Sequence, residues 1–238
     1  MNYIILNGTK STIVQGLLIQ ELPPISKPQI RSSIETIDGR DGDIITRLGY
    51  AAYDKVLTIG LKPDADINDV ISYFVNNDSG RVTFSNEPDL YYRFDLLEAI
   101  DFERLIRFKQ AKIIYHTQPF KFKLSEGDTE LMLQKNNTAN ILNSGNIYSK
   151  PVLTIRGIGT VTISLNNSQV FTILFSDSVA ETIIIDTAAM EAYNADGILK
   201  NRIVSGNYDN FYLPIGMNTI GVTGHVIDCS ISNYSRWI

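Results

Sequence analysis

Residues 159–166 read GTVTISLN, and their alternation decides the fold class. Val161, Ile163 and Leu165 fall on one side of an extended chain, with Thr160, Thr162 and Ser164 on the other. Side chains alternate faces along a strand, so this period of two predicts a half-buried β-strand. The rhythm recurs along the chain. Leu57, Ile59 and Leu61 share a face in YDKVLTIGLK (53–62), as do Tyr92, Phe94 and Leu96 in YYRFDLLEAI (91–100). Ile227, Cys229 and Ile231 do so in HVIDCSIS (225–232). One packed face and one wet face is the pattern of antiparallel sheets, and the fold is expected to be mainly β.

One segment breaks that rhythm. In PDADINDVISYFVNNDSG (63–80), Ile67, Val70, Ile71, Phe74 and Val75 trace one apolar helical stripe. Asp66 is placed as the N-cap, Asp69 suits the positive end of the helix dipole, and Gly80 is expected to close the segment. Capping accounts for this acidic cluster without catalysis. The sequence thus predicts one short helix. Residues 22–36, LPPISKPQIRSSIET, hold three prolines and no consistent period, so they read as an extended arm. The arm runs into IDGRDG, residues Ile37, Asp38, Gly39, Arg40, Asp41 and Gly42.

The chain has 238 residues, enough for two domains, and a net charge of −5. Residues 1–124 carry 15 Lys and Arg against 16 Asp and Glu, while 125–238 carry 6 against 10. The second half is therefore a poor grip for a polyanion. A domain boundary is expected at SEGD (125–128), dividing the chain into 1–126 and 127–238, with a second polar stretch at NNTANILNSGN (136–146). The later strands, spaced by Gly, Asn and Asp turns, suit a β-sandwich. No stretch approaches the length of a membrane span, and without a signal peptide synthesis is expected in the cytoplasm.

The search for chemistry returns little. A lone cysteine, Cys229, forms no intramolecular disulfide and reads as a buried hydrophobe. The two histidines, His116 and His225, each lie in a strand-like run. No GxSxG, Walker A, GxGxxG or HExxH element occurs. A calcium loop starting at Asp38 fails at its third residue, where Arg40 stands in place of a carboxylate. The segment FERLIRFKQAKIIYHTQPFKFK (102–123) interleaves six cations with aromatics. Single-stranded nucleic acid would fit such a surface, but a long strand with cationic stems facing water explains it too. Trp237, the only tryptophan, could stack on a sugar or close the last strand.

Four features together resemble the distal tail (Dit) proteins of long-tailed phages of Gram-positive hosts. They are the arm leading into IDGRDG (37–42), the strand ending HTQPFKF (116–122), and NSGNIYSKPVLTIRGIGTVTISLNN (143–167). The fourth is the series IIIDTAAMEAY (183–193), LPIGMNTIGVTG (213–224) and SRWI (235–238). Asp38 stands where the family more often has proline. The resemblance implies an N-terminal split-barrel domain (1–126) with one helix and a protruding arm or hairpin, then a galectin-like β-sandwich (127–238). It implies a non-enzymatic structural protein of the virion tail tip, without cofactor or metal. Six copies would form a ring joining the tail tube protein to the tail-associated lysin or fibre protein. In some members the ring carries receptor-binding proteins, and DNA meets it only in passing through the lumen. On this reading residues 37–42 are candidates for the subunit interface. The alternative is a carbohydrate-binding module acting through the sandwich, although no sugar-stacking Trp with a polar His/Asn/Arg cluster is recognisable on its strands.

Overall fold

The structure, a computed structural model, describes residues 1–126, 137–232 and 234–238. The chain divides into two compact units, Met1–Lys121 joined by Ile238, and Phe122–Trp237. The boundary expected after Glu126 opens onto residues 127–136, which lie outside the described residues.

In the first unit the elements follow in order β1 (Ile4–Leu6), β2 (Thr9–Lys10), β3 (Leu17–Glu21), β4 (Ile30–Thr36), β5 (Asp43–Tyr50) and β6 (Tyr53–Leu61). Then come α1 (Ile67–Val75), β7 (Ser79–Phe84), β8 (Leu90–Asp95), α2 (Phe102–Phe108) and β9 (Gln110–Lys123). The main sheet runs β2-β1-β7-β8-β9-β6-β3, and β4 and β5 form a separate two-stranded sheet. The core collects Ile4, Leu6, Leu57, Ile59, Val82 and Phe94 from the strands with Val70, Phe74 and Leu105 from the helices. Each such fully buried aliphatic contributes about 2 kcal/mol from lost apolar exposure. Phe94 and Phe84 both meet the buried Tyr115 ring edge to face, at 5.1 and 5.8 Å.

Helix α1 starts as expected, with the Asp66 carboxylate accepting from the Asn68 amide at 2.8 Å. Its buried face is Val70, Tyr73 and Phe74; Val75, assigned to the stripe from sequence, is 58 % exposed. Gly80 does not end the helix. Asn76 is the C-cap, and Gly80 lies inside β7 at φ +120°, where a Cβ would collide with the Asn7 carboxamide.

The second helix is a departure from the single one expected. Residues 102–108 leave the long basic strand and coil, because Asp101 caps them by accepting from the Arg104 amide at 2.8 Å. Lys109 at φ +59° then turns the chain into β9. Leu105 is the buried anchor, and seven residues are too few to show a helical period. The basic segment is thereby broken up. Arg107 pairs with Glu103 on α2, and Lys121 is buried on β9, so no continuous cationic strand faces solvent.

The second unit comprises β10 (Asn137–Asn143), β11 (Val152–Leu165), β12 (Ser168–Leu174), β13 (Glu181–Asp186), β14 (Glu191–Asn194), β15 (Val204–Gly206), β16 (Gly216–Ser232) and β17 (Arg236–Trp237). Strand β11 is its spine. One edge pairs with β16 over its whole length, while the other is divided, Val152–Gly157 pairing with β13 and Thr160–Leu165 with β12. The register shifts beside Gly157 and again at Ile158–Val161, and both halves of β11 deliver side chains to one core. Leu153, Ile155, Val161, Ile163 and Leu165 all face it, as the alternation in GTVTISLN requires.

Two local readings change. Val226 is buried while Ile227 is 50 % exposed, because Gly157 pairs with Val226 and Arg156 with Asp228. The extra residue is a β-bulge, which reverses the parity on which Ile227 had been grouped with Cys229 and Ile231. The polar stretch at 136–146 contains β10 from residue 137 onward, paired with β16, with Ile141 in the core. Its buried Asn143 is satisfied by donating to the carbonyls of Ile147 and Leu213 and accepting from the Gly145 amide. Cys229 is buried, and desolvation pushes its thiol up to about 12, which makes it an inert packing residue.

Candidate assembly interface

The β4–β5 hairpin stands out by what it does not bury. None of the fifteen residues in its two strands is buried. Ile34 pairs directly with Ile45 across the ladder, and they are 60 % and 63 % exposed; Leu48 and Ile37 are exposed as well. An isolated two-stranded hairpin is marginal in water, and an exposed apolar cross-strand pair wastes the burial that would stabilise it. Both facts leave the hairpin with an uncovered apolar surface.

The six candidate residues, 37–42, form its tip, and all are exposed. The Arg40 amide donates to the Ile37 carbonyl at 3.1 Å, closing a turn with Gly39 at φ +82°. Gly42 sits at φ +79°, and below the tip the Thr36 hydroxyl donates to the Asp43 carboxylate at 2.9 Å. Glycine removes the steric cost of those left-handed positions. Among the described residues Arg40 has no ion-pair partner, so its guanidinium is presented to solvent.

The root, by contrast, is held firmly. The Pro23 carbonyl accepts from the Asn86 side chain and the Pro24 carbonyl from Lys55 Nζ, each at 3.0 Å. The Ala51 amide donates to the Gln29 carbonyl, and Tyr50 packs edge to face on Phe120 at 5.5 Å. Lys55 belongs to a buried polar cluster. Glu87 accepts from Lys121 at 2.8 Å and from the Tyr92 hydroxyl at 2.5 Å, while Lys55 Nζ lies 4.7 Å from the Tyr92 ring centroid. Sequence reading missed this cluster, although Lys55 shares the inward parity of Leu57 and Ile59.

Burial lowers the Lys55 ammonium to about 8; Glu87 opposes the shift and Lys121 adds to it. Between pH 8 and 10 the unfolded chain therefore holds more protons at this position than the folded one, and stability rises with pH. Above pH 10 the raised buried tyrosines, Tyr73 and Tyr92 among them, reverse the trend, since the unfolded chain then loses protons first. Melting curves from pH 7.5 to 10 are expected to show this rise in the parent and a flatter profile in Lys55→Met. Identical slopes would remove Lys55 as the cause.

No protein-family model matches the sequence, and no curated protein is similar to it. Solved structures do match. The SPP1 Dit protein (gp 19.1), described as a paradigm of the hub adsorption apparatus of phages infecting Gram-positive bacteria, superposes with a TM-score of 0.62. The match covers 100 % of both chains at 16 % identity. The chain has the Dit fold. A chain of the phage p2 baseplate in its activated conformation matches at TM-score 0.51 and 10 % identity, covering 97 % of this chain and 96 % of that one. Among the described residues no group of three or more His, Cys, Asp or Glu could hold a metal ion, and no helix is long and apolar enough to cross a membrane.

Proposed function

We propose that this chain is a Dit-type hub of a phage tail tip, a structural protein and not an enzyme, which closes into a ring of identical subunits through the β4–β5 hairpin. The observation that carries the reading is the hairpin itself: a firmly rooted two-stranded element with no buried residue and an apolar pair, Ile34 and Ile45, open to water. A head-to-tail contact between copies of one surface and a different surface on the next subunit closes a ring when the rotation allows it. On the resemblance to Dit proteins we set the number of copies at six. The N-terminal unit would form the ring, between tail tube protein on one side and the tail-associated lysin or fibre protein on the other. The C-terminal unit would then stay available to receptor-binding proteins.

Light scattering and negative-stain imaging of the purified chain test the reading. Closed rings support it; a strictly monomeric species through the micromolar range, also in the presence of tail tube protein, would sink it. Arg40→Ala tests the tip: ring formation is expected to weaken roughly tenfold, about 1.4 kcal/mol, with the melting temperature of the subunit unchanged. Equal losses in assembly and thermal stability would make the tip a folding corner only.

A further inference from the structure

The second unit carries two adjoining recesses that neither its core nor ring closure requires. Segments 147–149 and 211–213 are locked by reciprocal hydrogen bonds, the Ser149 amide to the Leu213 carbonyl at 2.9 Å and the Leu213 amide to the Ser149 carbonyl at 2.8 Å. Ile147, Ser149, Phe211 and Leu213 are buried, so alternation turns Tyr148 and Tyr212 outward. The two rings meet edge to face at 5.8 Å and stay 42 % and 44 % exposed. Behind Tyr148, the Arg236 guanidinium lies 4.8 Å from the ring centroid, and its Nε donates to the Tyr148 carbonyl at 2.9 Å. Lys150 Nζ stands 3.9 Å from the Asp209 carboxylate at the same recess, whose volume is about 430 Å³. Tyr212 also lines a second recess of about 300 Å³, edged by Asn166, Ser168, Gln169 and Asn210.

We propose that this double recess is a saccharide-binding site, with Tyr148 and Tyr212 as its stacking platform and Tyr212 shared between two sugar subsites. A pyranose offers an apolar C–H face and a rim of vicinal hydroxyls. The first fits a rigid exposed aromatic ring; the second needs donors and acceptors at short range. Lysine supplies donors, aspartate acceptors, and Asn and Gln both; these line the recesses beside the apolar Leu165, Val170 and Pro214. Lys150 and Asp209 offset each other, so the site suits a neutral sugar over an acidic one. Both volumes fall in the range of small-ligand sites, roughly 300–1,000 Å³, and two linked recesses match a chain of rings. The platform is fixed by backbone hydrogen bonds before any ligand arrives, which limits the ordering cost of binding.

The proposal is independent of ring assembly, and either can fail alone. Calorimetry on the full chain with chitotriose, lactose and maltotriose, each up to about 10 mM, tests it. At least one should bind in the millimolar range. Tyr212→Ala should weaken that binding about tenfold, Tyr212→Phe should keep most of it, and Asp209→Asn should lower it several-fold, a loss of order 1 kcal/mol. Asp209 is largely solvent-exposed, so its variant tests the site even if Tyr212→Ala fails to fold. Binding of none of the three sugars, or undiminished binding by Tyr212→Ala and Asp209→Asn, would overturn the assignment.

Discussion

Glu87→Ala is expected to cost the first unit about 3–5 kcal/mol, as much as truncating a buried core aromatic. Glu87 is the anion of a buried cluster, accepting from Lys121 at 2.8 Å and from Tyr92 at 2.5 Å, with Lys55 close by. Its side chain is 10 % exposed and that of Lys121 is 6 % exposed, so little water reaches either. Removing the carboxylate leaves Lys121 buried without its counter-ion and the Tyr92 hydroxyl without its acceptor. The loss therefore exceeds the net worth of the ion pair, because an orphaned buried charge adds its own desolvation cost. A fall of order 10 °C in melting temperature should follow. Glu87→Gln, which keeps an acceptor, should fall between alanine and parent. The combined Lys55→Met, Lys121→Met, Glu87→Leu variant should recover most of the loss. A Glu87→Ala protein within 1 kcal/mol of the parent in chemical denaturation would show that water already screens the cluster.

Second in size is the paired substitution Ile34→Glu and Ile45→Glu, which is expected to abolish ring formation while leaving subunit stability within about 0.5 kcal/mol. The two positions face each other across the β4–β5 ladder and are both mostly exposed in the single chain. In the free subunit the cost is limited to like charges meeting on a solvated hairpin. In a packed interface the same two carboxylates would be buried without partners, at several kcal/mol each. Light scattering beside a melting curve separates the two states. If rings persist, the apolar pair is not at the contact, and the proposed route to assembly is wrong.

Legibility in the sequence followed the burial pattern. GTVTISLN was readable because one face of β11 packs and the other is wet, and α1 was readable because Val70 and Phe74 face the core behind an Asp66 cap. The hairpin strands were not. Both faces of β4 and β5 meet solvent, so no apolar period is imposed, and 22–36 reads as an extended arm without a pairing partner. The tip was legible through its glycines, which answer to local backbone geometry alone. Helix α2 is too short to display a stripe, and the bulge at Ile227 reverses a parity that sequence spacing assumes constant. Tyr148 and Tyr212 are far apart in the chain and meet only through the Ser149–Leu213 bridge. The Glu87 cluster likewise depends on strands whose neighbours the sequence does not name.

The shared edge of β11 also sets a timetable. Val152 finds its partner at Ser232 and Leu165 at Ile220, so the spine strand leaves the ribosome long before β16 exists. At roughly 5–20 residues per second, that interval lasts several seconds. During it one whole edge of β11 is an unpaired template, open to any extended chain nearby. In the first unit β1 waits likewise for β7, Ile4 pairing with Phe84, and β6 for β9, but strands β1 to β9 have all been made by residue 123. Synthesis thus completes strands β1 to β9 while the second unit is still unfinished. On a polysome crowded with identical nascent chains, the open edge of β11 is a place where mispairing between copies would begin.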